Sequence, residues 1–97
     1  MIIVMGYLIV PAADRVRHLA LSQPAVQAAR TAPGCLYFSV SADAVEPSWL
    51  NVAERWASRA ELDAVRSSGA DAADLDPFAH IREFHVEEFE VLADQSG

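Results

Sequence analysis

Residues 2–10 form an apolar segment that is interrupted only by Gly6 and ends at Pro11. Its β-branched content and the proline at its end predict a β-strand. A strand with one face in water alternates apolar and polar residues, whereas here neither alternating set is polar. One set is Ile2, Val4, Gly6, Leu8 and Val10, and the other is Ile3, Met5, Tyr7 and Ile9. The pattern therefore predicts a strand that is covered on both sides.

Residues 12–32 have the spacing of a helix, with Asp14 as a candidate N-cap. The apolar face is predicted at Val16, Leu19 and Ala20. Pro24 cannot donate a hydrogen bond to the carbonyl four residues earlier, so a kink or a restart of the helix is expected there. Ser22 could cap the second segment.

Two strands follow the helix. Residues 35–41 alternate, with Leu36, Phe38 and Val40 on one face and Cys35, Tyr37, Ser39 and Ser41 on the other. Residues 42–48 contain Asp43 and Pro47 and predict a hairpin-like connection. Residues 49–56 are the expected partner strand. One of its faces carries Leu50, Val52, Glu54 and Trp56, and the other carries Trp49, Asn51, Ala53 and Arg55.

The second half of the chain begins with a capping box, in which Ser58 precedes Glu61 by three residues. This predicts a helix from residue 58 to about residue 66. Asp76 and Pro77 suit the start of another helix. The remaining elements are expected as a mobile loop at 67–77, a short helix at 78–83, a last strand at 84–92 and a frayed tail at 93–97.

This order of elements predicts an α+β fold, βαββαβ with one extra short helix, over the single domain 1–97. It is the ferredoxin-like arrangement, an antiparallel sheet with its helices on one face. The other face of the sheet then needs a cover, since the first strand is apolar on both sides. A second copy of the same sheet is the simplest cover, because two-fold symmetry is the commonest form of oligomer. We therefore expect a homodimer.

Charge and composition narrow the function classes. Seven basic and fourteen acidic residues give a net charge of −7, which argues against nucleic-acid binding and against anionic membrane surfaces. The longest apolar run is too short to span a bilayer and does not resemble a signal peptide. A cytoplasmic protein is expected.

Cofactor and metal sites also have little support. Cys35 is the single cysteine, which excludes an intrachain disulfide and CxxC-type sites. The sequence contains no glycine-rich phosphate loop and no nucleotide-binding fingerprint. The three histidines, His18, His80 and His85, lack metal-ligand spacing. We expect neither a cofactor nor a metal.

Four segments carry a family resemblance: residues 33–36 (PGCL), Asp43, residues 54–58 (ERWAS) and residues 61–64 (ELDA). Together they resemble the antibiotic biosynthesis monooxygenase family, over nearly the whole chain and most closely at 32–68. The resemblance implies a small dimeric α+β barrel. The family includes cofactor-free oxygenases of quinols or anthrone-type polyketides, haem-degrading enzymes and members without an established activity.

The resemblance also suggests site residues. Trp56 matches a tryptophan that family members often carry at the end of the third strand, and Asn51 matches an asparagine on that strand. Their odd separation, however, puts them on opposite faces of a regular strand. A helical histidine of the family is replaced by Val65. Haem degradation is not expected, because the first strand lacks the asparagine of that branch and no tryptophan follows Trp56.

The candidate catalytic residues are His80, Asn51 and Trp56. His80 could act as a general base, or it could simply face solvent. Trp56 could stack on a planar substrate, or it could pack the core. The aromatic residues that could bind the substrate are Trp56, Tyr37, Phe38 and Phe78. His18 is expected on the surface, and His85 in a structural or interface position.

Three function classes follow. The first is a cofactor-independent monooxygenase that oxidises a quinol or anthrone-type aromatic with molecular oxygen, since the sequence offers no redox group and the substrate must supply the electrons. The second is a non-catalytic dimeric barrel, either binding a small apolar metabolite or of unknown role. The third is an isomerase or dehydratase that uses His80 with one carboxylate.

Overall fold

The apolar first strand, β1 (Ile2–Ile9), lies inside a four-stranded antiparallel sheet with the order β2-β3-β1-β4. The structure is a computed structural model that describes residues 1–71 and 83–92, those at 68–71 by their backbone alone. After β1 come a 3-10 turn (Ala12–Asp14), α1 (Arg15–Arg30), β2 (Cys35–Ala42), β3 (Trp49–Trp56), α2 (Arg59–Asp71) and β4 (Glu83–Glu90). The predicted ferredoxin-like α+β fold is confirmed.

The register of the sheet assigns each side chain to a face. Val4 lies directly opposite Glu54 of β3 and Glu88 of β4, and Phe38 of β2 lies opposite Glu54. Directly opposed residues share a face. The side under the helices, here called the helix face, carries Ile2, Val4 and Leu8 of β1 and Leu50, Val52, Glu54 and Trp56 of β3. The other side, the open face, carries Met5, Tyr7, Asn51, Ala53, Arg55, Tyr37, His85 and Phe89.

The core lies between the helix face and the helices, in two clusters. The first is built from Ile2, Val4, Trp56 and Leu62, and the second from Leu8, Val10 and Leu50. Each such side chain contributes about 1.5–3 kcal/mol when it is fully buried. The inward set of β1 is therefore the one that starts at Ile2, as the alternation indicates.

Helix α1 differs from the prediction at its caps. It runs through Pro24 without a restart, and Ser22 does not cap a second segment but donates its hydroxyl to the Leu19 carbonyl at 2.8 Å. Asp14 makes no capping hydrogen bond and instead pairs with Arg17 at 3.5 Å. The helix tolerates the proline because the packing of neighbouring turns outweighs one missing hydrogen bond.

The buried side of α1 was predicted only in part. Leu19 packs against the second core cluster as expected, but Val16 is 78% exposed, whereas His18, expected on the surface, is only 2% exposed. The fully buried residues of the helix are His18, Ser22 and Ala29. Two of these side chains are small, which allows α1 to approach the sheet closely, and the polar residues among them hid this face from the hydrophobic pattern.

Helix α2 begins as the capping box predicts, since Ser58 Oγ accepts the backbone N–H of Glu61 at 3.3 Å. The helix continues to Asp71, so the loop expected from residue 67 is wrong for 67–71. Once the helix is nucleated, each further residue adds a hydrogen bond, and Gly69 costs only about 1 kcal/mol. The rest of that loop and nearly all of the predicted helix 78–83 lie outside the described residues; Glu83 is the first residue of β4.

Candidate functional site

A single carboxylate lies among the inward residues of β3. Glu54 is partly buried on the helix face, with Phe38 beside it on β2 and Val4 beside it on β1. Phe38 packs against the first core cluster. A carboxyl group in such a position is unusual, because acidic side chains are seldom removed from water without a partner.

The partner of Glu54 is the indole of Trp56, whose Nε1–H donates to Glu54 Oε1 at 2.9 Å. Trp56 is completely buried and packs with Ile2, Val4 and Leu62. The ring therefore occupies the core, and its N–H is engaged by the carboxylate. In this position Trp56 packs the core, and its ring has no exposed surface on which a ligand could stack.

Burial raises the pKa of the Glu54 carboxyl, because the charged form loses solvation. The hydrogen bond from Trp56 and the positive charge of Arg66 act in the opposite direction, while the negative charge of Glu88 adds to the rise. The net effect is a pKa above the ordinary value of 4.5. Such a carboxyl can exchange a proton closer to neutral pH than an exposed one.

Two arginines of α2 pair with Glu88 of β4. Arg59 Nη1 and Arg66 Nη1 lie 2.7 and 3.1 Å from the same oxygen, Glu88 Oε1. Their side chains are 49% and 48% exposed. The shared carboxylate connects α2 to β4 on the helix face, the face that also carries Glu54.

Cys35 lies on β2 opposite Trp56 and packs against the first core cluster. Burial raises the pKa of its thiol, and the nearby Glu54 carboxylate also raises it. A thiol with a raised pKa is a poor nucleophile at neutral pH. The geometry therefore favours a packing role for Cys35. A register shift between Cys35 and Tyr37 puts these two residues on opposite faces, which corrects the regular alternation predicted from the sequence.

The residues predicted for the site do not all meet. Trp56 and Phe38 share the helix face, whereas Asn51 and Tyr37 lie on the open face. The β1–β3 pairing is regular over all eight residues, so no bulge brings Asn51 round to Trp56. The amide of Asn51 donates instead to Asp43 Oδ1 at 2.8 Å. His80 and Phe78 lie outside the described residues.

A groove of about 520 Å³ lies elsewhere, between α1 and β2. Among the described residues its lining includes Val26, Arg30, Val40 and Ser41, and none of the predicted site residues. Arg30 is the charged residue among them, and its Nε donates to the Phe38 carbonyl at 2.8 Å. The described part of the lining has no carboxyl, histidine or aromatic side chain, so we place the candidate site at Glu54.

Sequence reasoning passed over Glu54 as a site residue, although it stands in the segment ERWAS. The available signal was its place in the alternation of the strand, because Glu54 is the only charged residue in the inward set Leu50, Val52, Glu54 and Trp56.

In the parts of the chain that the structure describes, three or more potential metal ligands do not cluster. None of the described helices is both long enough and apolar enough to cross a membrane.

Comparison with known proteins identifies the family of this chain. The model of the antibiotic biosynthesis monooxygenase family matches residues 1–87. No curated protein sequence matches the chain.

Solved structures of three bacterial proteins, all classed with the antibiotic biosynthesis monooxygenases, resemble it. One from Deinococcus radiodurans has a TM-score of 0.79 and 22% identity, over 94% of this chain and 92% of that one. One from Nitrosomonas europaea has a TM-score of 0.80 and 15% identity, over 95% and 99%. One from Chloroflexus aurantiacus has a TM-score of 0.74 and 23% identity, over 95% and 93%. At these identities the likeness establishes the fold.

Proposed function

Because this chain belongs to the antibiotic biosynthesis monooxygenase family, we propose that it is a cofactor-independent monooxygenase of a quinol or anthrone-type aromatic. The reaction would take place on the helix face, next to Glu54. One atom of molecular oxygen enters the product and the other leaves as water, and the substrate supplies all four electrons; in an anthrone a CH2 group becomes C=O and its two hydrogens leave in the water. A cytoplasmic location belongs to the same proposal.

The observation that supports this site is the Glu54 carboxyl, partly buried and held by Trp56. An electron-rich phenol reacts with oxygen much more readily once it is deprotonated. Glu54 in its charged form can accept the phenolic proton, which leaves a phenolate and a neutral carboxyl. Its raised pKa makes the carboxylate a better base than an exposed glutamate. The buried surroundings keep water away from the reacting oxygen.

The other residues have supporting roles. Trp56 is a positioning residue, because its indole fixes one oxygen of Glu54. Phe38 supplies an apolar wall on β2. His80 and Phe78 remain predictions as a base and as a ring contact. Asn51 and Tyr37 lie on the other side of the sheet from Glu54, so a contribution of theirs to the same pocket would require a second chain.

The test is oxygen uptake with a panel of hydroquinones and anthrones and no added cofactor. We expect Glu54→Gln to lower turnover about 100-fold, since general bases contribute about 10²–10⁴-fold. Glu46→Gln, an exposed glutamate in the connection between β2 and β3, is the matched control and should retain full turnover. No uptake above background with the wild-type protein would refute the enzyme hypothesis and favour the non-catalytic barrel that binds an apolar metabolite.

We also propose that the open face is covered by a second copy of the chain. Met5 is 54% exposed there, and Tyr37 and Phe89 are each 49% exposed. Tyr7 stacks between Trp49 at 3.9 Å and His85 at 4.9 Å, measured between ring centroids. An apolar and aromatic surface that spans the strands is typical of an interface.

A further inference from the structure

The groove between α1 and β2 lies at one edge of the sheet, because the order β2-β3-β1-β4 makes β2 the outermost of the described strands on that side. Its volume of about 520 Å³ falls within the range of about 300–1,000 Å³ that is usual for ligand sites. One wall is the surface of α1, and the other is residues 40–42 of β2. The groove is therefore bordered by the backbone of an edge strand.

That backbone turns hydrogen-bonding groups toward the groove. The N–H of Asp43 donates to the Trp49 carbonyl at 3.1 Å, so residue 43 directs its backbone groups toward β3. Every second residue of an antiparallel strand shares that direction, which gives residues 41 and 39 to the pairing with β3. Val40 and Ala42 therefore point their N–H and C=O groups outward.

The first part of this edge is protected, and the last part is open. The pairing with β3 shifts register between Cys35 and Tyr37, and the outward carbonyl of Phe38 accepts the Nε–H of Arg30 at 2.8 Å. Irregular pairing and charged side chains are the usual means by which proteins prevent a further strand from adding to an edge. Residues 40–42 have neither protection, so an added strand can pair with them.

The floor of the groove is apolar. Val40 and Ala42 lie on the helix face, since they are opposite inward residues of β3. Leu19 and Val26 of α1 line the same groove. A ligand that pairs with the edge of β2 would place every second side chain on this floor, because residues opposite each other in a sheet share a face.

The rim on α1 is polar and carries one cation. Gln23, Gln27 and Arg30 are four and three residues apart, so they form one stripe of the helix, and all three are exposed. Among the described residues Arg30 forms no salt bridge, and its terminal nitrogens make no hydrogen bond. The described lining also contains no carboxylate. A carboxylate on the ligand would balance this charge.

We propose that the groove binds a short extended peptide that ends in a free carboxylate and adds antiparallel to β2. The contact between Arg30 and Phe38 places the cation at one end of the open edge, and Ala42 is at the other. A carboxylate at Arg30 makes the peptide extend toward Ala42, which is the antiparallel direction. Residues 38–42 span about 14 Å, so three or four peptide residues fill the edge. The site is separate from Glu54 and does not depend on the proposed oxygenase chemistry.

The experiment uses acetyl-alanyl-valyl-alanyl-valine with a free carboxylate as the probe, titrated into the full-length protein by calorimetry. Both valines face the floor when the last one lies opposite Val40. Three modified probes test the two kinds of contact. A C-terminal amide removes the charge. N-methylation of the last valine removes an N–H that faces β2, whereas N-methylation of the preceding alanine removes one that faces away and is the matched control.

We expect the free acid to bind and to shift the backbone amide signals of Val40 and Ala42 in nuclear magnetic resonance spectra. The C-terminal amide should bind about tenfold more weakly, and so should the free acid to the Arg30→Met protein, because each change removes a charge-assisted hydrogen bond. N-methylation of the last valine should weaken binding about fivefold or more. The methylated alanine probe should bind like its parent, and Arg17→Met, which removes an exposed arginine of the same helix, should bind like the wild type. Circular dichroism verifies that both variants are folded.

Several outcomes would overturn the proposal. These are no binding of the free acid, equal binding of the acid and its amide, or equal effects of the two N-methyl groups. Octanoate that binds as tightly as the peptide would show ion pairing without an added strand. A peptide that splits a dimer into monomers in light scattering would assign the edge of β2 to a second copy of the chain. Oxygen uptake with quinols has no bearing on any of these results, so the peptide site and the proposed function fail separately.

Discussion

The indole N–H of Trp56 and the carboxylate of Glu54 are joined by a 2.9 Å hydrogen bond between two residues of the same inward face of β3. One partner is completely buried and the other only partly. The bond thus connects the core to the one charged group of that face. It gives the tryptophan two separable effects, on stability through its ring and on the protonation of Glu54 through its N–H.

Trp56→Phe should separate these effects. The smaller ring leaves a cavity, so the free energy of unfolding should fall by about 1–3 kcal/mol. Loss of the N–H removes an interaction that lowers the pKa of Glu54, so that pKa should rise further. Glu54 acts as a base only when it is deprotonated, so the acidic limb of the oxygen-uptake profile should move to higher pH. Trp49→Phe, on the open face, should leave the profile unchanged. An unaltered profile in Trp56→Phe would contradict the link.

Glu54→Gln should remove a loss of folding stability that the wild-type protein undergoes as the pH rises from acidic to neutral. The pKa of Glu54 is raised in the fold, so the native state binds the proton more tightly than the unfolded state does. Stability therefore falls as pH rises through the interval between the unfolded and the folded pKa. The amide cannot ionise, so this decline should be absent from urea denaturation of the variant between pH 4 and 8, and present in Glu46→Gln. A parallel pH dependence in all three proteins would count against a raised pKa.

The alternation of apolar and polar residues predicts the position of strand β3 but not the burial of its carboxylate. The sequence predicts this strand at 49–56, as observed, because its two faces differ in hydrophobicity. The same alternation places Glu54 on the inward face, but nothing in the local sequence ERWAS indicates that the carboxyl is partly buried. The alternation of side chains along a strand predicts the face on which a residue lies, whereas its burial depends on the helices packed above that face.

The helices were harder to predict for physical reasons. The buried face of α1 contains a histidine, a serine and an alanine, which a hydrophobic pattern does not mark. The end of α2 depends on propagation through small residues, and one of its later side chains, that of Arg66, is held by Glu88 of β4. A partner contributed by a strand 22 residues further along the chain (88 − 66) is invisible to local propensity.

Gly34→Ala should destabilise the protein by about 1–2 kcal/mol or more, as judged by chemical denaturation. Gly34 has a φ of +82°, a left-handed conformation that costs other residues about 1–2 kcal/mol. A Cβ at this position would also overlap the side chain of Glu61. In a Glu61→Ala background the added cost should fall toward the backbone part, because only the Cβ of residue 61, 2.8 Å from the new Cβ, still conflicts with it. An equal cost in both backgrounds would show that the Glu61 side chain moves away from the added Cβ without loss of stability.

Tyr7→Glu should convert the proposed dimer to monomers. Tyr7 is at the centre of the aromatic stack on the open face, between Trp49 and His85. A buried carboxylate without a partner would oppose association strongly. Light scattering at micromolar concentration should give twice the chain mass for the wild type and for Val16→Glu, an exposed position on α1, and a single chain mass for Tyr7→Glu. A wild-type monomer would refute the proposed interface.

Asn51 provides the clearest contrast between family resemblance and geometry. Its amide donates to Asp43 Oδ1, and the other oxygen of Asp43 accepts the backbone N–H groups of Val45 and Glu46. These hydrogen bonds lower the pKa of Asp43. The stabilisation they give is present above the ordinary pKa of an aspartate and is lost as pH falls through the lowered one. Asn51 thereby holds the β2–β3 connection on the open face, away from Glu54.

Asn51→Ala should therefore leave oxygen uptake within about twofold of the wild type while it reduces stability. The reduction should be greatest near neutral pH and vanish at a pH below the pKa of Asp43, where the carboxyl is protonated in both states. Asp43→Ala should cost at least as much, and the double variant should cost less than the two single losses added together, because they remove one shared interaction. Additive losses, or a large fall in turnover in a protein that is still folded, would return Asn51 to the catalytic site.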